Sequence, residues 1–506
     1  MDGRAAPARA ADFLIMNKKK VVLFFPSYGS NEACPPLALI AVAGPLVTEG
    51  YEVKIIDTAL EPDYLGAVMR ELDGALCLGM SLVTGPMIKG AIEVGRAAKK
   101  KYPNLPIILG GWHPSILPQQ TLECQYIDAV VLRQGELTLV EMVKRIEAGE
   151  SLKGVPGTLT KENGEITWNP PRPHTPVAQL PSRMPGYDLI NYESYFRGTG
   201  LRWLMYTTSH GCPYNCSYCS NAAVYGRNLD VLPAEQVVDE VSYLVRKYRI
   251  QLVGVIDDLF FAFRPRSLEI AEGFIRCGLK FEWYIQDRAD CWERLTLEQA
   301  RLFRRSGLVR IHFGAESGSD DVLKSIDKKS DTEAVLAAVE RCKEAAIRAS
   351  FGFIFGLPAE NEDDMLKSVD LIRRIYERYD RADCYTNIFT PYPGSPAWQE
   401  SIDRGLAPPK TFEEWAEFYP RLQVLPWLNG GKHQRLQAIR QYIRFGYHQV
   451  KVGEQQFSRR HRLLLDMLKP SAQLRIKTHR FEYPLEVHAY WRLQQMKKSF
   501  HLYERF

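Results

Sequence analysis

Apolar and polar positions along the chain form two blocks, and each block predicts an alternation of strands and helices. In the first block, from Val21 to Glu147, short apolar runs are separated by amphipathic stretches. Such runs are typical of strands that are buried on both faces of a parallel sheet. The predicted strands are Val21–Phe25, Val53–Asp57, Ala75–Ser81, Ile107–Gly110 and Ala129–Leu132. This block predicts a doubly wound, Rossmann-like α/β domain.

The second block begins at Trp203 and again alternates buried strands with amphipathic helices. Its predicted strands are Trp203–Thr208, Leu252–Ile256, Phe281–Gln286, Val309–Phe313, Arg348–Phe353 and Asp383–Phe389. Its predicted helices are Ala234–Arg246, Ser267–Cys277, Leu297–Arg305, Thr332–Ala345 and Asp363–Tyr379. Six such units fall short of the eight in a closed barrel.

Other segments separate or follow the two blocks. Leu152–Asp188 has seven prolines around one hairpin signal, Asn163-Gly164, and predicts a linker. Beyond Trp398 the alternation stops, and Lys410–Tyr419 and Leu436–Val450 predict helices. We expect a disordered tail at 1–20, with Met16 as an alternative start, α/β domains at 21–150 and 191–400, a linker at 151–190 and a mostly α region at 401–506.

Composition excludes several classes of protein. Of 506 residues, 45% are hydrophobic and 25% are charged, no apolar stretch approaches the ~20 residues of a membrane span, and no secretion signal is present. Ten scattered cysteines are not a disulfide framework. These features predict a cytoplasmic protein.

The C-terminal part is basic, because Lys432–Arg505 holds 16 Lys/Arg against 5 Asp/Glu. This charge favours an anionic partner, such as an acidic substrate, a phosphorylated carrier or a membrane surface. A solvated helix face would explain the same charge. No nucleic-acid-binding motif accompanies it, so we expect no nucleic acid.

Three cysteines in a C-x3-C-x2-C spacing, Cys212, Cys216 and Cys219, follow the first strand of the second block. Three thiolates are one ligand too few for a closed four-cysteine site, so the loop predicts a [4Fe–4S] cluster with one open iron. Zinc would need a fourth ligand, and the chain downstream offers no matching cysteine or histidine pair.

This loop, with Tyr218 before its last cysteine, resembles the signature of radical S-adenosylmethionine (SAM) enzymes. The resemblance implies a partial six-unit barrel and an open iron that binds SAM, which is cleaved to a 5'-deoxyadenosyl radical. It also implies a SAM contact at Tyr218 and further SAM contacts at later strand ends. These are Asp257 and Asp258 for the amino group, in place of the more common Gly-Gly-Glu, Glu316 and Ser317 for the ribose, and Ile354 and Gly356 for the adenine.

Arg288 follows the third strand of the second block. Its forked donors suit an anion, so it is a candidate for the SAM carboxylate or for the substrate. A salt bridge to Asp287 or Asp290 is the alternative.

Strand ends of the first block carry glycines and hydroxyls. Glycines let the backbone approach a large flat ligand, and hydroxyls bond its amides. No G-x-G-x-x-G is present, which argues against a nicotinamide or flavin site. The candidates are Ser27, Tyr28, Ser81, Thr84, Gly110, Gly111, His113, Gly135 and Glu136.

This block resembles the cobalamin-binding domain that precedes some radical SAM barrels. The likeness lies in the proline-rich start of the first helix, the Gly-Gly-x-His loop and Gly135-Glu136. The Asp-x-His-x-x-Gly motif of cobalamin mutases is absent, which favours methyl transfer over cobalt–carbon homolysis. His113 is either a cobalt ligand or a residue that fixes its loop, and its position favours the latter.

Cys34, Cys77 and Cys124 leave another possibility, the sulfur-inserting domain of methylthiotransferases. Buried free cysteines are common and inert, so we interpret these three as structural.

The combined resemblance implies a cobalamin-dependent radical SAM enzyme, a C-methyltransferase acting on a small molecule or lipid. Its cofactors would be a [4Fe–4S] cluster, SAM and cobalamin, and a flavodoxin or ferredoxin would supply electrons. The alternatives are a radical cyclase or rearrangement enzyme without methyl transfer, a methylthiotransferase-like enzyme, and a non-catalytic sensing module. Peripheral membrane contact fits the basic C-terminal part.

Overall fold

The computed structural model describes residues 19–28, 34–418, 425–429, 431–447, 459–490 and 492. Several predictions concern residues outside these ranges. They are the disordered tail before residue 19, the alternative start at Met16, and the ends of two predicted helices at Tyr419 and 448–450.

A seven-stranded sheet forms the first domain, in the strand order β2-β1-β3-β4-β5-β6-β7. Its first five strands are parallel and the last two are antiparallel. The order reverses between β1 and β3, as in doubly wound sheets, so the predicted fold class is confirmed. The elements are β1 Lys20–Phe25, α1 Leu37–Thr48, β2 Glu52–Asp57, α2 Tyr64–Glu71, β3 Ala75–Ser81, α3 Met87–Lys101, β4 Ile107–Gly110, α4 Trp112–Ile116, α5 Pro118–Glu123, β5 Ala129–Val131, α6 Glu136–Ala148, β6 Thr158–Glu162 and β7 Glu165–Trp168.

The hairpin β6-β7 lies within this sheet, although the sequence placed it in the linker. Asn163 and Gly164 both have positive φ, as a tight two-residue turn requires. β6 then pairs with the free edge of β5 through Thr158, Leu159 and Thr160, which are all buried. Ordered sheet therefore extends past residue 150. The sequence does not reveal this because nothing in β5 itself marks its edge as open.

A six-stranded sheet forms the second domain, in the order β15-β14-β13-β12-β11-β8, with every neighbouring pair parallel. This is the predicted partial barrel. A linker with a 3-10 turn at Val177–Gln179, α7 Met184–Tyr187 and α8 Tyr192–Thr199 precedes it. The barrel elements are β8 Trp203–Tyr206, β9 Ser209–Gly211, α9 Asn221–Tyr225, β10 Leu229–Val231, α10 Ala234–Tyr248, β11 Leu252–Val255, a 3-10 turn at Phe260–Phe263, α11 Arg264–Arg276, β12 Glu282–Asp287, α12 Ala289–Glu293, α13 Leu297–Arg305, β13 Leu308–Glu316, α14 Asp320–Ser325, α15 Thr332–Glu344, β14 Arg348–Phe355, α16 Glu362–Arg378 and β15 Ala382–Ile388.

Side chains alternate between the two faces of this second sheet. One face is fully buried under the helices: Trp283, for example, packs edge-on against Phe274 of α11, and Phe313 stacks on Phe351 of the next strand. The opposite face, which points into the barrel, carries polar residues and glycines. The face of the sheet that packs against the helices is thus apolar, and the face toward the barrel interior is polar.

The C-terminal region differs in part from the prediction. It contains α17 Ala397–Asp403, a 3-10 turn at Glu413–Glu417, α18 Lys432–Tyr447 and α19 Arg459–Thr478. The helix predicted at Lys410–Tyr419 is therefore wrong apart from that turn, because its aromatic residues belong to the core of the first domain. Those residues are Phe412, Trp415 and Phe418. Within the described ranges, no helix combines the length and apolarity needed to cross a bilayer.

Two glycines, one in α1 and one in α7, allow the linker backbone to lie very close to the backbone of the first domain. A Cβ atom on Gly44 of α1 would lie 2.6 Å from the Cα atom of Arg183. A Cβ atom on Gly186 of α7 would overlap the carbonyl oxygen of Ile40. Only glycine fits at either position, and this contact fixes the linker beside the first sheet.

We expect Gly186→Ala to lower the free energy of unfolding by about 1–3 kcal/mol, because the added methyl group must displace backbone rather than a side chain. Urea denaturation followed by circular dichroism measures the change. Gly66→Ala is the matched control, since a Cβ atom there meets the Asp63 carboxylate, which can rotate away. Equal stability of the two variants would contradict the close approach.

Candidate active site at the junction of the two sheets

The three-cysteine loop lies between β9 and α9. Gly211, with φ of 83°, turns the chain into it, and a Cβ atom there would overlap the Asn228 carbonyl oxygen. Two sulfur atoms accept hydrogen bonds, Cys219 Sγ from the Asn221 amide at 3.4 Å and Cys216 Sγ from the Arg288 guanidinium at 3.9 Å. Donors aimed at sulfur fit thiolate ligands of an iron–sulfur cluster.

Burial raises the pKa of the Cys212 thiol and raises that of Cys219 to about 11, with the Asp258 carboxylate acting in the same direction. Iron offsets such costs, because coordinated thiols are deprotonated outright. Among the described residues, no three His, Cys, Asp or Glu side chains are spaced to hold one metal ion. A cubane differs from such a site because its thiolates bind separate irons.

Asp257 does not face the predicted SAM position. Its carboxylate accepts hydrogen bonds from the Thr208 hydroxyl and from the backbone amides of Thr208 and Ser209, and it is 2% exposed. β8 and β11 are neighbours, so a carboxylate that follows β11 reaches the backbone that follows β8. The SAM contact of Asp257 therefore stays a prediction that this geometry does not favour, and the residue anchors the segment that leads into the cysteine loop.

Asp258 points the other way, into an open cavity. It accepts a hydrogen bond from the Asn221 side-chain amide at 2.7 Å. Surrounding protein raises its pKa by desolvation. Of the two predicted aspartates, only Asp258 is available to a ligand.

Arg288 is fully engaged with protein groups, as the salt-bridge alternative predicted. Its Nε donates to Asp290 at 2.9 Å, and Nη2 donates to the backbone carbonyls of Lys328 and Lys329. The guanidinium also lies 3.8 Å from the centre of the Tyr214 ring. The expectation that Arg288 binds the SAM carboxylate is not supported, because its donors hold the cysteine loop and the chain after α14.

A buried ion pair lies beside the cysteine loop. Lys328 Nζ and the Tyr218 hydroxyl both donate to Glu316 Oε1, at 2.8 Å each. Glu316 has φ of 63°, and a Cβ atom on Gly314 would overlap its carboxylate. A left-handed non-glycine residue at a strand end is costly and marks a functional position. Burial and Glu316 raise the pKa of Tyr218, which stays a neutral donor.

Lys328 was missed by sequence reasoning, because Asp327-Lys328-Lys329 has the composition of a solvated turn. Its place at the site is held by long-range backbone contacts: the Ser217 amide donates to the Ile326 carbonyl at 2.9 Å, and Arg288 donates to the carbonyls of Lys328 and Lys329. Nothing in the sequence signals those contacts.

Two other predicted SAM contacts are occupied by protein. Ser317 is fully buried, and its hydroxyl lies 3.3 Å from that of Ser368 and accepts from the Ser319 amide, so it fixes a turn. The carbonyl of Gly356 accepts a hydrogen bond from Trp427 Nε1 at 3.0 Å. Ile354 remains half-buried on the inner face of the barrel.

A cavity of about 450 Å³ lies between the carboxyl ends of the first sheet and the start of the barrel. This volume is in the usual range for ligand sites. Six of the nine predicted cobalamin contacts line it, namely Tyr28, Ser81, Gly110, Gly111, Gly135 and Glu136. A Cβ atom on Gly111 would lie 2.6 Å from the Leu82 carbonyl oxygen, so glycine keeps this wall flat. A flat, glycine-rich wall fits a corrin ring.

Ser27, Thr84 and His113 do not line this cavity. Thr84 Oγ1 lies 3.0 Å from His113 Nδ1, and the His113 ring packs 5.5 Å from the rings of Phe412 and Trp415. Burial lowers the pKa of His113 to about 3. The structure supports the loop-fixing role for His113 and not the cobalt contact.

The barrel side of the cavity contributes residues that the sequence did not assign. His210 lies just before Cys212, and its ring packs 5.8 Å from that of Tyr225, which in turn packs edge-on against Trp112 of the first domain. Burial lowers the pKa of His210 to about 4, so it is neutral. Asp258 lines the same cavity. Residues that flank the cysteine loop and residues of the first domain therefore line one cavity.

Lys328→Met should lower the free energy of unfolding by about 3–5 kcal/mol, because it leaves the Glu316 carboxylate buried without its cation. Urea denaturation measures the loss. Lys329→Met is the matched control, since the Lys329 side chain is 67% exposed and should change stability by less than about 0.5 kcal/mol. Comparable small changes in both variants would contradict the buried pair.

Comparisons with known proteins agree with this geometry. The family model described as the radical SAM superfamily matches residues 206–372, and that described as the B12 binding domain matches residues 30–143. An uncharacterized methyltransferase of Pyrococcus horikoshii is 29% identical over 82% of this chain and 87% of its own length. The anaerobic magnesium-protoporphyrin IX monomethyl ester cyclase of Cereibacter sphaeroides is 27% identical over 76% of this chain and 64% of its own length.

Among solved structures, the cobalamin-dependent SAM radical enzyme OxsB shares the fold with a TM-score of 0.69, at 16% identity, over 96% of this chain and 76% of its own. The two matched domains imply a [4Fe–4S] cluster, SAM and cobalamin as cofactors. Residues 206–372 thus match a radical SAM domain and residues 30–143 a B12-binding domain, and these matches together with the methyltransferase and cyclase relatives support a cobalamin-dependent radical SAM methyltransferase or cyclase.

Proposed function

We propose that the protein methylates an unactivated carbon of a small molecule, as a cobalamin-dependent radical SAM methyltransferase. The observation that carries this proposal is the shared cavity. Residues next to the cysteine loop, His210 and Asp258, and the glycine-rich wall of the first domain face the same space. A substrate there can meet both cofactors without leaving the protein.

The cofactors supply hydrogen abstraction and a transferable methyl group, and the protein supplies positions. Cys212, Cys216 and Cys219 are the proposed cluster ligands. Asp258 is the proposed partner of the SAM amino group, because its carboxylate lines the cavity next to the cysteine loop. Lys328, held by Glu316, is a cation beside the cluster and suits an anionic group of SAM.

Iron and cobalamin content and product analysis test the proposal. We expect about four irons and one cobalamin per chain after anaerobic reconstitution, with 5'-deoxyadenosine and S-adenosylhomocysteine both formed. Cys216→Ala should lose 5'-deoxyadenosine and keep cobalamin, because the cobalamin site lies in the other domain. Cys277→Ala, a half-exposed cysteine outside the site, should keep both.

Other outcomes separate the alternatives. If the protein holds cobalamin and forms 5'-deoxyadenosine but no S-adenosylhomocysteine, the proposed activity becomes cyclisation or rearrangement instead of methyl transfer. Cyclisation is the activity named for the Cereibacter relative. Iron without cobalamin would reject both. A Cys216→Ala variant that kept its products would reject radical chemistry.

Radical SAM enzymes in general act on small molecules and take electrons from a donor protein, and the same holds for this proposal. A flavodoxin or ferredoxin is the proposed donor. The proposed cluster thiolates need a reducing compartment, which supports a cytoplasmic location.

We also propose peripheral contact with an anionic membrane through α19 and the segment that follows it. Four large apolar side chains are strongly exposed there: Met467 (78%), Leu474 (62%), Tyr483 (84%) and Leu485 (71%). Met467 and Leu474 are two turns apart and share a helix face. Exposed Lys477 and Arg480 lie beside them and complement anionic headgroups.

The double variant Met467→Ser/Leu474→Ser should bind anionic vesicles at least about tenfold more weakly, because two apolar side chains no longer enter the bilayer. Co-sedimentation with vesicles of equal parts phosphatidylglycerol and phosphatidylcholine measures this. Tyr243→Ser, an exposed aromatic residue on α10, is the control and should bind like the wild type. Wild-type protein that stays in the supernatant would contradict the contact.

A further inference from the structure

The inner face of the barrel sheet is polar. Cross-strand register places Gln286 beside His312, His312 beside Ser350, and Ser350 beside Asp383. Arg310 lies one layer away, beside Arg348 of β14. An interior built for an apolar substrate would carry Leu, Ile or Phe at such positions.

Two of these groups form no hydrogen bond within the described residues. Over the ranges that the structure covers, Arg310 has no hydrogen bond and no ion pair within 4 Å, and the hydroxyl of Ser350, a residue 2% exposed, has no hydrogen-bond partner. Burial and the neighbouring Arg348 lower the pKa of Arg310, whereas the Asp383 carboxylate and Tyr284 act in the opposite direction. Half-buried polar groups without partners are costly, and a ligand that supplies partners removes the cost.

Glycines keep this interior open. The Tyr385 ring lies across Gly352, where a Cβ atom would meet its hydroxyl at 2.8 Å, and the Tyr284 ring lies across Gly254 in the same way. Both rings therefore pack closer to the sheet than they could over a residue with a Cβ atom, and so they extend less far into the barrel interior.

One residue of this inner face, Met205 of β8, lines the proposed cobalamin cavity. Met205, which lines that cavity, is in register with Gly254, Gly254 with Tyr284, and Tyr284 with Arg310. Three strand spacings separate Met205 from Arg310, or about 14 Å. A molecule lying along this row has one end at the cavity and the other at a guanidinium.

We propose that the substrate carries an oxyanion, a carboxylate or phosphate group, which Arg310 binds on the inner face of the barrel, about 14 Å from the cavity where the proposed function places the chemistry. The inference names a substrate class for that site and rests on the proposed function. It excludes a wholly apolar lipid as the substrate.

Binding of paired probes to the anaerobically reconstituted holoenzyme with SAM tests this inference. By equilibrium dialysis, octylphosphonate and octanoate should each bind at least about tenfold more tightly than 1-octanol, and the stronger of the two identifies the oxyanion. Arg310→Gln should abolish the preference, and Arg310→Lys should restore part of it. Arg381→Gln, on the exposed turn before β15, should keep it.

Equal binding of the three probes by the wild type, or a preference that survives Arg310→Gln, would overturn the inference. Cobalamin content and 5'-deoxyadenosine formation are measured on the same preparations. If cobalamin content and 5'-deoxyadenosine formation are intact but no Arg310-dependent preference is found, only the proposed substrate class is rejected. If cobalamin or 5'-deoxyadenosine formation is missing while the Arg310-dependent preference is kept, the proposed function is rejected and Arg310 remains an anion-binding residue.

Discussion

Three thiols on one eight-residue loop repel one another once they are ionised, and the fold around the loop is arranged to hold them together. Asp257 fixes the segment that leads into the loop, Arg288 donates to Cys216, and Asn221 donates to Cys219. The two backbone groups of Ser217 bind Ile326 and Ala397, which lie far along the chain. The loop is thus clamped by segments that follow four different barrel strands, and none of those segments forms the site without the others.

Much of this arrangement follows from sequence, because strand periodicity places residues at a common edge. Periodicity predicts the parallel strands of both sheets and the cysteine loop, and it brings six of the nine cobalamin candidates to the cavity. Periodicity does not say which way a side chain turns at that edge. Asp257 and Asp258 are adjacent in sequence, yet one anchors backbone and the other faces the cavity. Periodicity likewise does not show that protein groups occupy the donors of Arg288 and the hydroxyl of Ser317.

Residues that depend on long-range contacts escaped prediction for another reason. Lys328 looks like a surface lysine until the Ser217–Ile326 contact brings it to Glu316. Arg310 and Ser350 sit within strands whose polar positions suggest a solvated face, and only closure of the sheet turns that face inward. The domain boundaries proposed from composition remain predictions, and the hairpin at Asn163 shows how an edge strand extends a sheet beyond them.

The packing of Phe412, Trp415 and Phe418 into the first domain also bears on how the chain folds as it is made. The core formed by residues up to Leu159 is completed by side chains that the ribosome adds about 250 residues later, roughly 10 to 50 s at ordinary rates of synthesis. Until then the surface around His113 is uncovered. The first domain therefore begins to fold before the rest of the chain, but its core is complete only after Phe418 has been added. In the interval, the apolar surface around His113 has to be protected from aggregation.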